Sequence, residues 1–112
     1  MLETSYRSHT VGSIGLSLEG KSVTLCGWVE TIRDHGGVLF FHLRDASGRL
    51  QVLLDPNSMS KEQFKIAQMV HIEYCVRIKG LVVPRPEGKD RTWIDSKDVE
   101  LEATEIDVLG SS

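Results

Sequence analysis

Arg33, Phe40 and Gln51 bring a guanidinium, an aromatic ring and a carboxamide into one short stretch of the chain. Together these groups suit an unpaired base. A ring gives a stacking platform worth about 1–3 kcal/mol per base. An amide carries both a donor and an acceptor for a base edge, and an arginine can take a phosphate or a base. A second set follows in the segment PRPEGKDRTWIDSK, residues 84–97, where Arg85, Lys89, Arg91 and Lys97 surround Trp93. Basic residues interleaved with an aromatic are the pattern of a single-strand contact. Glu100 and Glu102 lie just beyond it, on what reads as the outer side of a strand. A carboxylate there can accept from a base amino group, although a plain surface role fits as well.

Catalytic chemistry is not written into the chain. The histidines (His9, His35, His42 and His71) have no metal-ligand spacing. No phosphate-binding glycine loop or nucleophile elbow occurs. The acidic run from Asp98 to Glu105 alternates with apolar residues, as the solvated face of a strand does.

The strands that position these groups follow from period-two alternation. Val23, Leu25 and Val29 share one face of a first strand over 22–32, with Gly27 between them as a candidate bulge or bend. Asp34-His35-Gly36-Gly37 reads as a turn. A second strand runs from Val38 to about Arg44, with Leu39, Phe41 and Leu43 on its core face and Phe40 out of phase with them. Asp45-Ala46-Ser47-Gly48 is a tight turn into a third strand over 50–54, where Gln51 is out of phase with Leu50, Val52 and Leu54. On neighbouring strands of a regular hairpin, Phe40 and Gln51 therefore both point outward. In the alternative, Phe40 belongs to a second, minor core under a loop or helix, and Trp93 folds back onto the protein.

Ser60 and Gln63 form a capping-box signature for a helix over about 61–70. Further strands follow at about 72–83 and 99–109, separated by the loop 84–97. The order β-β-β-α-β-β is that of an all-β, five-stranded OB-fold Greek-key barrel with one short helix between strands three and four. Another small barrel, or an open sheet on one helix, is the alternative. In an OB-fold the face of strands two and three, with the adjoining loops, binds oligonucleotides or sugars.

The bulk properties agree with a single domain over residues 1–112, with 1–20 as a lead-in and 110–112 as a linker or end. The length suffices for a modest core without metals or disulfides. Cys26 and Cys75 read as reduced thiols of a cytoplasmic protein. No apolar run approaches the roughly 20 residues that span a bilayer, and the first residues, MLETSYRSHT, lack the apolar stretch of a secretory signal. The net charge of −3 weighs against a general phosphate binder.

Beyond these patterns, GKSVTLCGWVETIRDHGGVLFFHLRDASGRLQVLLDP resembles the N-terminal anticodon-binding domain of aspartyl-tRNA synthetases. YRSHTVGSI resembles the opening of the bacterial-type enzymes. The likeness is most specific from Val23 to Pro56, where GWV, RDHGG, F-x-x-L-R-D, G-x-x-Q and a terminal DP occur in order. The asparaginyl and lysyl enzymes share part of this pattern, and RDHGG and DP favour the aspartyl branch.

The resemblance implies that the domain grips a tRNA anticodon loop. Phe40 would stack on the central uridine and Gln51 would hydrogen-bond it. Arg33 would contact backbone or base, Arg85 would join from the loop, and Glu100 would lie near an outer base. It also implies a longer homodimeric enzyme whose class II catalytic domain binds ATP and Mg²⁺. No cofactor is expected in these residues, and the fragment alone is expected to be monomeric. The chain departs from the family at Glu30-Thr31-Ile32, where relatives carry further arginines, and at Val83, where bacterial relatives tend to be basic. Two alternatives stand beside this reading: a general single-strand-binding OB module and a protein-interaction OB module.

Overall fold

The computed structural model describes residues 7–85 and 99–110. Its elements are β1 (Ser22–His35), β2 (Val38–Asp45), β3 (Gly48–Leu54), α1 (Lys61–Gln68), β4 (Cys75–Pro84) and β5 (Val99–Gly110). The strands close into a barrel in the order β1-β2-β3-β5-β4. All neighbours are antiparallel except β3 and β5, which run parallel. This is the five-stranded OB architecture anticipated from the order of elements.

Inward alternation builds the core. Leu25, Phe41, Leu43, Leu50, Leu54, Ile78, Leu101 and Ile106 are fully buried, contributed by all five strands. α1 covers one end of this core with Ala67 and Phe64. Ser60 caps the helix by accepting from the Gln63 N–H at 3.1 Å. The Gln63 side chain does not complete a reciprocal capping box: its Oε1 instead accepts from the Ile106 N–H at 2.6 Å and so ties α1 to β5. No helix among the described residues is long and apolar enough to cross a membrane.

The hairpins are tight. His35 pairs with Val38, leaving Gly36 and Gly37 as a two-residue turn with φ of 63° and 93°. Two successive positive φ values give a turn whose twist suits a hairpin, and glycine takes them without a Cβ penalty. At the next hairpin the Asp45 carboxylate accepts from the Ser47 N–H at 2.7 Å and the Gly48 N–H at 3.2 Å. It also accepts from the Val11 N–H at 2.9 Å, which fastens the lead-in across the barrel.

Several boundaries differ from the sequence reading: β1 runs on to His35, not 32, and β3 begins at Gly48, not 50. α1 ends at Gln68, not 70. β4 begins at Cys75, not 72, because residues 71–74 turn the chain: Glu73 has φ 76° and the Tyr74 N–H donates to the His71 carbonyl at 3.1 Å. The irregularity assigned to Gly27 lies elsewhere. Gly27 pairs regularly with Val76, and its bare Cα admits the Arg44 carbonyl, which would lie 2.5 Å from a Cβ. The bulge is at Glu30, between Val29↔Leu43 and Thr31↔His42.

Candidate nucleic-acid interface

The Glu30 bulge decides which side chains of β1 reach the outer face beside β2. Strict alternation from Trp28 would turn Ile32 outward and Arg33 into the core. One extra residue reverses the phase of everything beyond it. Ile32 then pairs with Phe41 and packs on the core, while Arg33 pairs with Phe40 on the outer face.

Cross-strand register lays two adjacent rows over this face. One runs Arg33, Phe40, Leu53, Glu102. The other runs Thr31, His42, Gln51, and continues to Glu100 through a hydrogen bond. Phe40 and Gln51 are diagonal neighbours in these rows, a separation that long side chains bridge.

The sequence-derived residues thus come together, but not as freely solvated groups. Arg33 is exposed and Phe40 is half-buried. The Phe40 ring meets His35 of the glycine turn edge-on, with centroids 5.5 Å apart and planes at 88°. Gln51 is only 7% exposed and Glu100 5%, so both lie on the outer face as the alternation implies but neither is open to solvent. Each covers the other, since Gln51 Nε2 donates to Glu100 Oε1 at 2.7 Å. Arg85 is buried at 6% exposure, not held out on a solvated loop. Lys89, Arg91, Trp93 and Lys97 lie outside the described residues.

Burial pushes the Glu100 carboxyl above its usual range, an effect that Glu102 reinforces and that Gln51 and Arg85 oppose. His42, missed by sequence reasoning, is 3% exposed and pairs with Gln51. Burial lowers it to about 4, reinforced by Arg33, Arg85 and Arg49 and opposed by Glu30. Its signal was present: it lies two residues from Phe40 on the same face. Glu30, which the sequence marks only as a departure from the family's arginines, also borders this face. It accepts from Arg49 Nε at 2.7 Å and lies 3.6 Å from Arg44 Nε. No cluster of three or more His, Cys, Asp or Glu among the described residues could hold a metal ion. An aromatic face, an amide, a carboxylate and several guanidiniums make a surface suited to a base and its backbone.

A family model described as an OB-fold nucleic acid binding domain, of the tRNA anti-codon type, matches residues 23–109. The chain belongs to this family. The OB domain is 48% identical over 107 residues to the aspartate–tRNA(Asp/Asn) ligase of Xanthobacter autotrophicus, covering 96% of this chain and 17% of the relative. It is 46% identical over 106 residues to the enzyme of the same name from Saccharopolyspora erythraea, covering 95% of this chain and 17% of the relative. The OB domain therefore spans about a sixth of these curated relatives. Among solved structures, OBody AM3L09 bound to hen egg-white lysozyme superposes with a TM-score of 0.81 at 27% identity, covering 95% of this chain and 97% of that one. The aspartyl-tRNA synthetase of Entamoeba histolytica gives 0.78 at 25%, covering 91% of this chain and 21% of that one.

Proposed function

We propose that the outer face of β2, β3 and β5 binds the anticodon loop of a tRNA, as the recognition domain of an aspartate–tRNA ligase. The observation that carries this reading is the juxtaposition of Phe40 with Arg33 across one strand pair and with the Gln51–Glu100 pair on its diagonal. Phe40 stacks on the central uridine and Gln51 hydrogen-bonds it. Arg33 and Arg85 meet the backbone or an outer base, and Glu100 borders an outer base. Aminoacylation itself, with its ATP and Mg²⁺, is the work of a catalytic domain in a cytoplasmic, homodimeric enzyme. The test is titration of the chain with anticodon stem-loops: replacing the central uridine weakens binding if the reading holds, and unchanged affinity refutes it.

A second reading has one observation in its favour. OBody AM3L09, of closely similar shape, is bound to a protein. On that reading the same face docks a protein partner, and a partner displaced by Phe40→Ala, with no RNA bound, would support it.

A further inference from the structure

Gln51 can offer a base either its carbonyl oxygen or its amino group, and the two choices select different bases. Uracil carries a ring N–H at position 3, which seeks an acceptor. Cytosine carries a lone pair there, which seeks a donor. What decides the choice is the neighbour that holds the other end of the amide.

That neighbour is Glu100. An ionised carboxylate only accepts hydrogen bonds. Gln51 must therefore turn its amino group toward it, as the 2.7 Å contact from Nε2 to Oε1 records. The opposite orientation would set two oxygens against each other. Both side chains are buried, so water does not compete for the contact, and a hydrogen bond to a charged acceptor is among the stronger ones. The backbone fixes the pair as well: β3 and β5 run parallel with Val52 opposite Leu101, which sets Gln51 and Glu100 side by side. With Nε2 held by Glu100, Oε1 is the acceptor that Gln51 has left for a base edge, on the face where Phe40 is the diagonal neighbour.

We propose that Glu100 is a positioning residue that fixes the polarity of Gln51, so that the amide shows its carbonyl oxygen to the base stacked on Phe40 and selects uracil over cytosine. This rests on the anticodon-loop reading above and adds to it: Glu100 governs the middle base through Gln51, whatever it contacts itself.

The experiment measures binding of the 112-residue chain and its Glu100→Gln variant to anticodon stem-loops with uridine or cytidine at the middle position. A glutamine at 100 can donate or accept, which frees the Gln51 amide to turn over. The expected result is a fall in the uridine-to-cytidine preference of about tenfold or more, the scale of one hydrogen bond made or left unpaired. Cytidine binding should improve while uridine binding weakens. A preference that survives unchanged, or changes at an outer position alone, overturns the proposal and leaves the anticodon reading intact. Failure of the wild-type chain to bind any stem-loop overturns both. Should Glu100→Gln not fold, NMR of the wild-type protein decides. Gln51 side-chain NH₂ protons that exchange slowly with water support the proposal, and protons that exchange as fast as those of an exposed glutamine contradict it.

Discussion

Glu30 accepts a hydrogen bond from the Arg49 guanidinium at 2.7 Å, and the same carboxylate draws Arg44 to 3.6 Å. One acidic residue, on the bulge of β1, thus occupies two arginines beside the candidate face. Replacing it with glutamine should cost little stability, at most about 1 kcal/mol for a surface ion pair. The Glu30→Gln variant should bind an anticodon stem-loop several-fold more tightly at low salt. Its log affinity should fall more steeply with log salt, by about one further unit of slope. Fluorescence titrations at a series of salt concentrations measure both.

Phe40 and Phe41 are adjacent but belong to different surfaces. Phe41 is fully buried, and its replacement by alanine should cost about 3–5 kcal/mol of stability. Phe40 is half-buried, so Phe40→Ala should cost roughly 1 kcal/mol. It should instead weaken RNA binding by about 1–3 kcal/mol. Chemical denaturation and stem-loop titration of the two variants separate these effects.

His42 makes stability depend on pH. It titrates near 6.5 when unfolded and at about 4 in the fold. Between these values the unfolded chain binds the proton and the folded one does not. Stability is therefore full above about pH 6.5 and declines as the pH falls toward 4, by up to roughly 3 kcal/mol. Glu100, held above its usual range, works in the opposite sense. The difference between wild type and His42→Asn isolates the histidine: the variant should lose less stability between pH 6.5 and 4 in urea melts.

Asp45 should prove the keystone of the lead-in. Burial raises its carboxyl, but bonds from Ser47 and from the Val11, Ser47 and Gly48 N–H groups outweigh this and hold it below its usual range. Asp45→Ala leaves those donors without their acceptor and should cost about 2 kcal/mol. Hydrogen exchange should rise at Val11 and Gly48 before it rises in the rest of the barrel.

Much of the barrel was legible because alternation is a local signal. Leu39, Phe41 and Leu43 announce a buried face without knowledge of any partner. The site was legible only in part, because its decisive features are non-local. Gln51 and Glu100 read as surface groups, since neither has a partner in the local sequence and they meet only where β5 returns beside β3. The bulge was misplaced because glycine is the usual marker of one. Here Gly27 serves a close backbone approach, and the extra residue is the glutamate. That bulge turns Arg33 outward, so the composition of the face depended on a feature that neither propensity nor motif revealed. His42 has no local mark of its burial, which depends on standing opposite Gln51 on the next strand.

The central claim is that RNA binds the face of Phe40 and Gln51. The most direct measurement is NMR perturbation mapping of the isotope-labelled chain during titration with a uridine-centred anticodon stem-loop. The account predicts that the largest shifts fall on Arg33, Phe40, His42, Gln51 and Glu100, with saturation at one equivalent. Shifts concentrated on Trp28, Arg77 and Lys79 of the β1–β4 face, or no saturable shifts at all, would contradict it.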